Sequence, residues 1–381
     1  MSDHNDEHAL SLPVLRAMID ALDRDVLQMF ARRNALVAEI AQYKRSHGLG
    51  IRDHRREREI LDDRCGRARQ LGLSVELIES IFRLVLWGSR DRQAALKAEV
   101  PIDCEPRRIA IIGGCGQMGR CMAKLFGDLG HMVMIADVDT ELKIDEAAAV
   151  SDVIVVSVPI DATVEVIRRI GPHVREEALM MDVTSIKAAP VKAMLESCRG
   201  SVVGTHPLFG PTVHSLQGQR VALCRGRGDA WFDWLKQMLH ARGLVLMEST
   251  PDTHDRAMSI VQVLVHFATE VMGHTLANLG VDLQETLQFT SPVYLMELLM
   301  TARHFAQSPN LYASIEMSNP ATPAVMDAFV NAAERLRRIV SDKNCDAFEH
   351  VFAEVGNFFG PFREQAMEQS SFLVDRLVER M

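Results

Sequence analysis

Three glycines in G-x-G-x-x-G spacing constrain this chain most: Gly114, Gly116 and Gly119 stand directly after the apolar run RIAII (108–112) and before a helical segment. A strand feeding a helix through such a turn uses the missing Cβ three times. Gly114 permits the tight turn, Gly116 lets the backbone approach a pyrophosphate, and Gly119 allows the helix to pack closely on the strand. The helix N-terminus behind them, at Gln117 and Met118, offers unpaired N–H groups and the positive end of the helix dipole. Asp137 closes the next apolar run, MVMIA, about 20 residues further on, where a carboxylate can accept from ribose hydroxyls and would repel a 2′-phosphate. No arginine follows in Asp137-Val138-Asp139-Thr140, so the expected cofactor is NAD rather than NADP.

The pattern around this motif is strand and helix in alternation. After RIAII and MVMIA come DVIVVSVP, ALMMDVT, SVVGTH, RVALC and LVLMEST, short apolar runs mostly separated by helical or loop segments, which predicts an α/β parallel sheet. Val158 and Pro159 end the third run, where carboxyl ends of strands line a ligand crevice. Beyond about residue 251 the period turns helical and stays so.

The N-terminal part is helical throughout. Leu15, Ile19, Leu22, Val26, Met29, Leu36 and Ile40 recur at three- and four-residue spacing over 12–45, one long helix that needs a partner to cover its stripe. Gly48 and Gly50 end it, a second helical pattern runs from about 56 to 71, and Ser74 caps a third. The stretch AEVPIDCEPRR reads as a linker. The expected division is a helical unit at 1–103, a dinucleotide-binding α/β unit of the Rossmann type at 104–250, and a helical unit at 251–381.

A formal net charge of −9 with a pI near 5.9 argues against a nucleic-acid partner or an anionic membrane surface, both of which select clustered cations. The arginine-rich run 52–69 is interleaved with acids and reads as a solvated helix face. The opening MSDHNDEHAL lacks the features of a signal peptide and no stretch offers 18 uninterrupted apolar residues, so a cytoplasmic protein without a membrane partner is expected. Seven scattered cysteines without a C-x-x-C pair predict reduced thiols and no metal site.

Charged residues on the N-terminal helices are placed for a ligand. Arg33 lies on the apolar stripe, where a cation must find a partner or an anionic ligand. Lys44, eleven residues on, is about 20° around the helix and roughly 16 Å along it, so the two long side chains can converge. Arg16 is about 25 Å and about 100° from Arg33, too far to serve the same pocket, and could act only in a partner's site. Ser89 and Gln93 share a face of the third helix at i and i+4, and Asp53, Arg56 and Glu57 open the second.

Gly204-Thr205-His206-Pro207-Leu208-Phe209-Gly210-Pro211 forms a shaped loop after an apolar strand. A single histidine is usually structural, but this loop together with VSVP (156–159) and DVTSIK (182–187) resembles the prephenate dehydrogenase family. The family oxidises the ring hydroxyl of prephenate with NAD, losing carbon dioxide and forming an aromatic ring. The resemblance implies that His206 is the catalytic histidine, that Arg303 binds a substrate carboxylate, and that Ser185, Lys187 and His266 lie near substrate, with His266 also sensing tyrosine as a feedback inhibitor. Leu295 departs from the family pattern, which has arginine after the tyrosine, and puts tyrosine feedback in question.

The set Arg16, Arg33, Lys44, Asp53, Arg56, Glu57, Ser89 and Gln93 likewise resembles the active site of the all-helical chorismate mutases, which are intertwined dimers using one arginine across the interface. By that resemblance Arg16, Arg33 and Arg56 hold carboxylates with Ser89 assisting, Glu57 takes the ring hydroxyl, and Lys44 with Gln93 faces the ether oxygen. A homodimer that converts chorismate to prephenate and oxidises it to 4-hydroxyphenylpyruvate is the expectation. Two alternatives stand beside it: a single-function arogenate or prephenate dehydrogenase with an inactive N-terminal arm, and a dimeric NAD-binding regulator without turnover.

Overall fold

The computed structural model describes residues 11–96, 105–213 and 215–378, so the opening segment and most of the expected linker lie outside the described residues. Helix α1 (Leu12–His47) starts with Pro13 in its first turn and ends where Gly48 takes a left-handed conformation, φ 61°, returning its N–H to the Lys44 carbonyl. Helix α2 (His54–Gln70) is capped by Asp53, which accepts from the Arg56 N–H, and α3 (Val75–Ala95) by Ser74, which accepts from the Leu77 N–H.

Within the chain α1 packs on α3, with Ala41 against Ala94 and Ile51, and Val37 and Ala41 are its buried residues. Its stripe from Leu15 to Ile40 stays 41–63% exposed, so three helices of one chain do not cover it.

A seven-stranded sheet follows: β1 (Arg108–Ile112), β2 (Met132–Ala136), β3 (Val153–Val156), β4 (Leu179–Asp182), β5 (Ser201–Pro207), β6 (Arg220–Arg227) and β7 (Val245–Ser249), in the order β2-β1-β3-β4-β5-β6-β7. All seven apolar runs form strands, but β6 lies antiparallel to β5, a departure from the expected parallel sheet. The physical reason is the connection: the described residues between 208 and 219 form no helix to carry the chain back across the sheet, so β6 returns beside β5. Helices α4 (Gln117–Asp128), α5 (Ile144–Val150), α6 (Ile160–Ile170), α7 (Ala188–Ser197) and α8 (Asp229–Ala241) cover the faces. Residues of α4 and α8, among them Phe126 and Phe232, fill one side of the core with Ile109 and Ile111, while α5, α6 and α7 close the other over Ala110 and Ile112. The β1–β3 neighbour step, where the strand order reverses, opens the crevice at the carboxyl edge.

Beyond β7, α9 (Pro251–Met258), a π-helical turn at Ser259–Leu264 and α10 (Val265–Asn278) run on as one long helix. By length and composition this helix could cross a bilayer, which the sequence reading did not anticipate. Helices α11 (Leu283–Gln288), α12 (Pro292–Phe305), α13 (Pro309–Ser318), α14 (Thr322–Ser341), α15 (Cys345–Phe359) and α16 (Phe362–Val378) complete the chain. Helix α13 packs on α6 and on the π turn, joining the helical unit to the sheet. At the opposite junction Arg242 ion-pairs with Asp128 at 3.0 Å and reaches the Ala94 carbonyl at the end of α3.

Candidate functional sites

In the glycine turn each missing Cβ has a visible reason at two positions. A methyl on Gly114 would stand 2.6 Å from Ile135 Cγ2, and one on Gly119 2.4 Å from the Gly113 carbonyl oxygen. Gly116 caps α4, presenting the first-turn N–H groups of Gln117 and Met118 at the exposed mouth of the crevice. Asp137 ends β2 and is held in the turn, accepting from the Cys115 N–H at 2.9 Å and the Val138 N–H at 2.8 Å. Val158 and Pro159 follow β3 on the other side, where the Ser157 carbonyl lies against Gly113. A small backbone turn, free helix N–H groups and a fixed carboxylate fit a dinucleotide.

His206 lies at the carboxyl end of β5, only 3% exposed. Its Nδ1 meets His254 Nε2 at 2.9 Å, and His254 Nδ1 meets Asp255 Oδ1 at 2.8 Å. Burial, then the Lys187 charge and the neighbouring His254, hold the His206 imidazole well below the ordinary histidine range, so it is neutral at physiological pH and able to take a proton. Asp255 resists the upward push of its burial by accepting from His254 and from the Lys187 and Ala188 N–H groups, and stays ionised.

Lys187 departs from expectation. Its ammonium is fully buried, pairs with Asp182 and lies 3.3 Å from Thr184 Oγ1, so it sits beneath the histidine instead of opening onto substrate. Burial lowers the Lys187 pKa against the raising effect of Asp182. Ser185 is half-buried on the same loop.

His266 begins α10 and faces a second cluster. Its ring stands edge-on to Tyr312 at 4.7 Å, its Nδ1 is 4.0 Å from Glu316 Oε1, and the nearby His304 bonds Glu270 at 3.0 Å. Burial followed by His304 lowers His266 to about 4, while burial and the neighbouring Glu270 carboxylate raise Glu316 to about 7. Arg303 projects from α12 beside His304, exposed, and its charge acts on Tyr312.

On the N-terminal helices, Arg33 Nη1 donates to Ser89 Oγ, and Gln93 Nε2 donates to the Ser89 carbonyl at 3.2 Å. Ser89 and Gln93 are each 7% exposed, and the Gln93 carbonyl oxygen has no hydrogen-bond partner among the described residues. Burial, then the charge of Arg64, lowers the Arg33 pKa. Lys44 donates to the Ile51 carbonyl at 2.5 Å and acts on Asp53. Glu57 pairs with Arg90 and with Arg52 at 3.5 Å, whereas Arg56 is exposed and paired with Glu59 at 3.3 Å. Arg16 is exposed on the uncovered part of α1, away from the Arg33 cluster.

Sequence reading missed His254, Asp255 and Asp182, and in the second cluster Glu270, Tyr312 and Glu316. The doublet His254-Asp255 in the first turn of a helix that follows the last strand was the available signal.

Fold and sites define a nicotinamide-dependent dehydrogenase joined to an all-helical mutase unit. Family models match in three pieces: chorismate mutase type II over residues 15–94, the prephenate dehydrogenase nucleotide-binding domain over 117–248, and the prephenate dehydrogenase dimerization domain over 250–354. The T-protein of Haemophilus influenzae is 33% identical over 96% of this chain and 97% of its own length. A probable arogenate/prephenate dehydrogenase of Methanocaldococcus jannaschii is 36% identical over 66% of this chain and 61% of its own. The prephenate dehydrogenase of Aquifex aeolicus, solved with hydroxyphenyl propionate and NAD+, shares the fold at a TM-score of 0.54 and 18% identity, covering 67% of this chain and 99% of that one. The chain belongs to the bifunctional chorismate mutase/prephenate dehydrogenases, an NAD enzyme of tyrosine biosynthesis with both activities.

Proposed function

We propose that the two activities are carried by the residues the sequence singled out, in two separate sites. The division into units at 1–103, 104–250 and 251–381 accompanies this reading. In the mutase site Arg33, Arg56 and the partner's copy of Arg16 hold the two carboxylates of chorismate, Ser89 assists, Glu57 takes the ring hydroxyl with Asp53 setting the turn before it, and Lys44 and Gln93 face the ether oxygen. The rearrangement is unimolecular and needs no nucleophile, so the site works by selecting the folded conformer and stabilising developing charge. The buried, unpartnered carbonyl of Gln93 beside Arg33 and Ser89 supports a polar pocket there.

In the dehydrogenase site the glycine turn, Gln117, Met118, Asp137, Val158 and Pro159 hold NAD, which when bound supplies the hydride acceptor. His206 takes the ring hydroxyl proton as the carbonyl character builds, and returns it to the phenol oxygen when carbon dioxide leaves. Ser185, Arg303 and His266 line the substrate side, and Lys187 acts from below through its field on His206. The single observation that carries this reading is a buried neutral imidazole at the carboxyl end of the strand beside the crevice.

Tyrosine as feedback inhibitor would meet the His266 cluster, where Glu270 and Glu316 could receive its ammonium. We take the exposed apolar faces of α1 and of the Pro251–Asn278 helix as protein interface of a homodimer, since the latter carries Asp255, Arg256 and Glu270 and lies within the dimerization domain match. A cytoplasmic location is consistent with the six described cysteines, all free.

The test supplies purified protein with chorismate and NAD. Chorismate loss and NADH formation together are expected, with Arg33→Ala abolishing the first while sparing oxidation of added prephenate, and His206→Asn doing the reverse. Loss of both activities in each folded variant would sink the two-site assignment.

A further inference from the structure

His206 has two ring nitrogens, and only one can face substrate. The other, Nδ1, is committed to His254 at 2.9 Å in a region where both rings are 3% exposed. Which nitrogen of each ring carries a proton follows from the far end of the chain of contacts. The Asp255 carboxylate is surrounded by donors: Oδ1 accepts from the Lys187 N–H at 2.8 Å, Oδ2 from the Ala188 N–H at 2.9 Å, and His254 Nδ1 lies 2.8 Å from Oδ1. An ionised carboxylate can only accept, so His254 Nδ1 carries hydrogen and its Nε2 presents a lone pair. That lone pair must be met by hydrogen, so His206 Nδ1 is the donor and its Nε2 is left bare.

We infer that His254 and Asp255 are positioning residues for the oxidation: they lock His206 in the Nδ1–H form with Nε2 free to take the substrate proton, and they steady the imidazolium that results. The inference rests on the dehydrogenase reading of His206. The step balances as follows. The substrate O–H bond breaks and its proton goes to His206 Nε2, while the Nδ1–H bond to His254 shortens against the Asp255 charge. The ring C–H electron pair leaves as hydride to NAD, the bond from the ring to its carboxylate breaks, and that electron pair enters the ring as carbon dioxide departs. The phenol oxygen then recovers the proton from Nε2, so no proton is gained or lost overall.

The placement of Asp255 also explains why a helix start serves the chemistry. Thr250 caps α9, so the first turn is fixed against the sheet, and Asp255 ties that turn to the loop after β4 through two backbone N–H groups. His254 is thereby held between two elements that both bear on the crevice. Lys187, whose charge also bears on His206, is paired with Asp182, and among the described residues the side-chain partner of His206 Nδ1 is His254.

Full-length protein with His254→Ala and with His254→Gln tests this. The alanine variant is expected to lose about 10²-fold in kcat for prephenate oxidation while KM for prephenate and for NAD changes by less than about twofold. The glutamine variant offers a carbonyl acceptor at the Nε2 position and should recover most of the loss. ¹⁵N spectra of the imidazoles should show His206 as Nδ1–H in the unaltered protein and largely as Nε2–H in the alanine variant, a change that simple loss of packing would not produce. Unchanged mutase activity in both variants reports intact folding. A kcat within about threefold of the unaltered protein together with an unchanged His206 tautomer would overturn the relay, as would a loss that glutamine fails to relieve while KM rises in step. Absence of prephenate turnover in the unaltered chain would strike the dehydrogenase reading instead, and the imidazole spectra judge the relay without any turnover.

Discussion

On the proposed roles Gln93 is a hydrogen-bond donor and His206 a base, so the two should answer acid differently. The Gln93 amide donates at any pH, so the mutase rate is expected to stay level down to about pH 5, whereas a rate rising steeply toward that pH would place an acid in the amide's role. His206 must be neutral to act, and burial with Lys187 and His254 lowers its pKa, so its acid limb is displaced downward. The sign is direct: the base form persists as pH falls until the lowered value is passed, and kcat/KM for prephenate should begin to fail only below the ordinary histidine value of 6.5. A limb at or above that value would contradict the environment described for the ring. His206 was legible because a shaped glycine and proline loop surrounds it in sequence. His254 was not, because the local His254-Asp255 doublet marks a polar helix start but does not report that the chain brings it against a loop 68 residues earlier.

At the scale of elements, the strands were legible because each apolar run is short and bounded, and the direction of β6 was misread because direction depends on the connection and not on the run. The cluster between α10, α12 and α13 was illegible for a related reason: its members are separated by up to 50 residues, and each alone reads as an ordinary helix residue. Its titration gives a stability prediction. Glu316, 6% exposed, has a folded pKa raised to about 7 by burial and Glu270, with His266, His304, Tyr312 and Arg303 around it. The fold therefore binds more protons than the unfolded chain between the ordinary value of 4.5 and about 7, so this group's stabilising contribution is full at low pH and is lost as pH rises through that window. Glu316→Gln keeps the shape and removes the titration. Urea unfolding should show the variant more stable by roughly 1–2 kcal/mol at pH 8 and little changed at pH 5. Equal shifts at both pH values would mean that packing, not proton binding, governs the site.

For the whole molecule, the informative fact is what one chain leaves undone. The stripe on α1 from Leu15 to Ile40 is about half exposed, and Arg16 sits on that uncovered stretch, remote from Arg33, Ser89 and Gln93. An apolar face of that length interrupted by charged residues calls for a second protein surface, and the helix-long separation between Arg16 and Arg33 means a twofold partner could deliver its Arg16 into this chain's pocket. If so, each mutase site is built from two chains, and two inactive variants can rescue one another. Arg16→Ala and Arg33→Ala are each expected to lose mutase activity nearly completely while oxidising added prephenate normally. Mixed in equal amounts, unfolded and refolded together, half of the dimers would be mixed. Each mixed dimer carries one site that takes Arg33 from one chain and Arg16 from the other, so about a quarter of the unaltered activity should return. Mixing without subunit exchange should return nothing, and no recovery after verified exchange would mean that Arg16 serves its own chain or none.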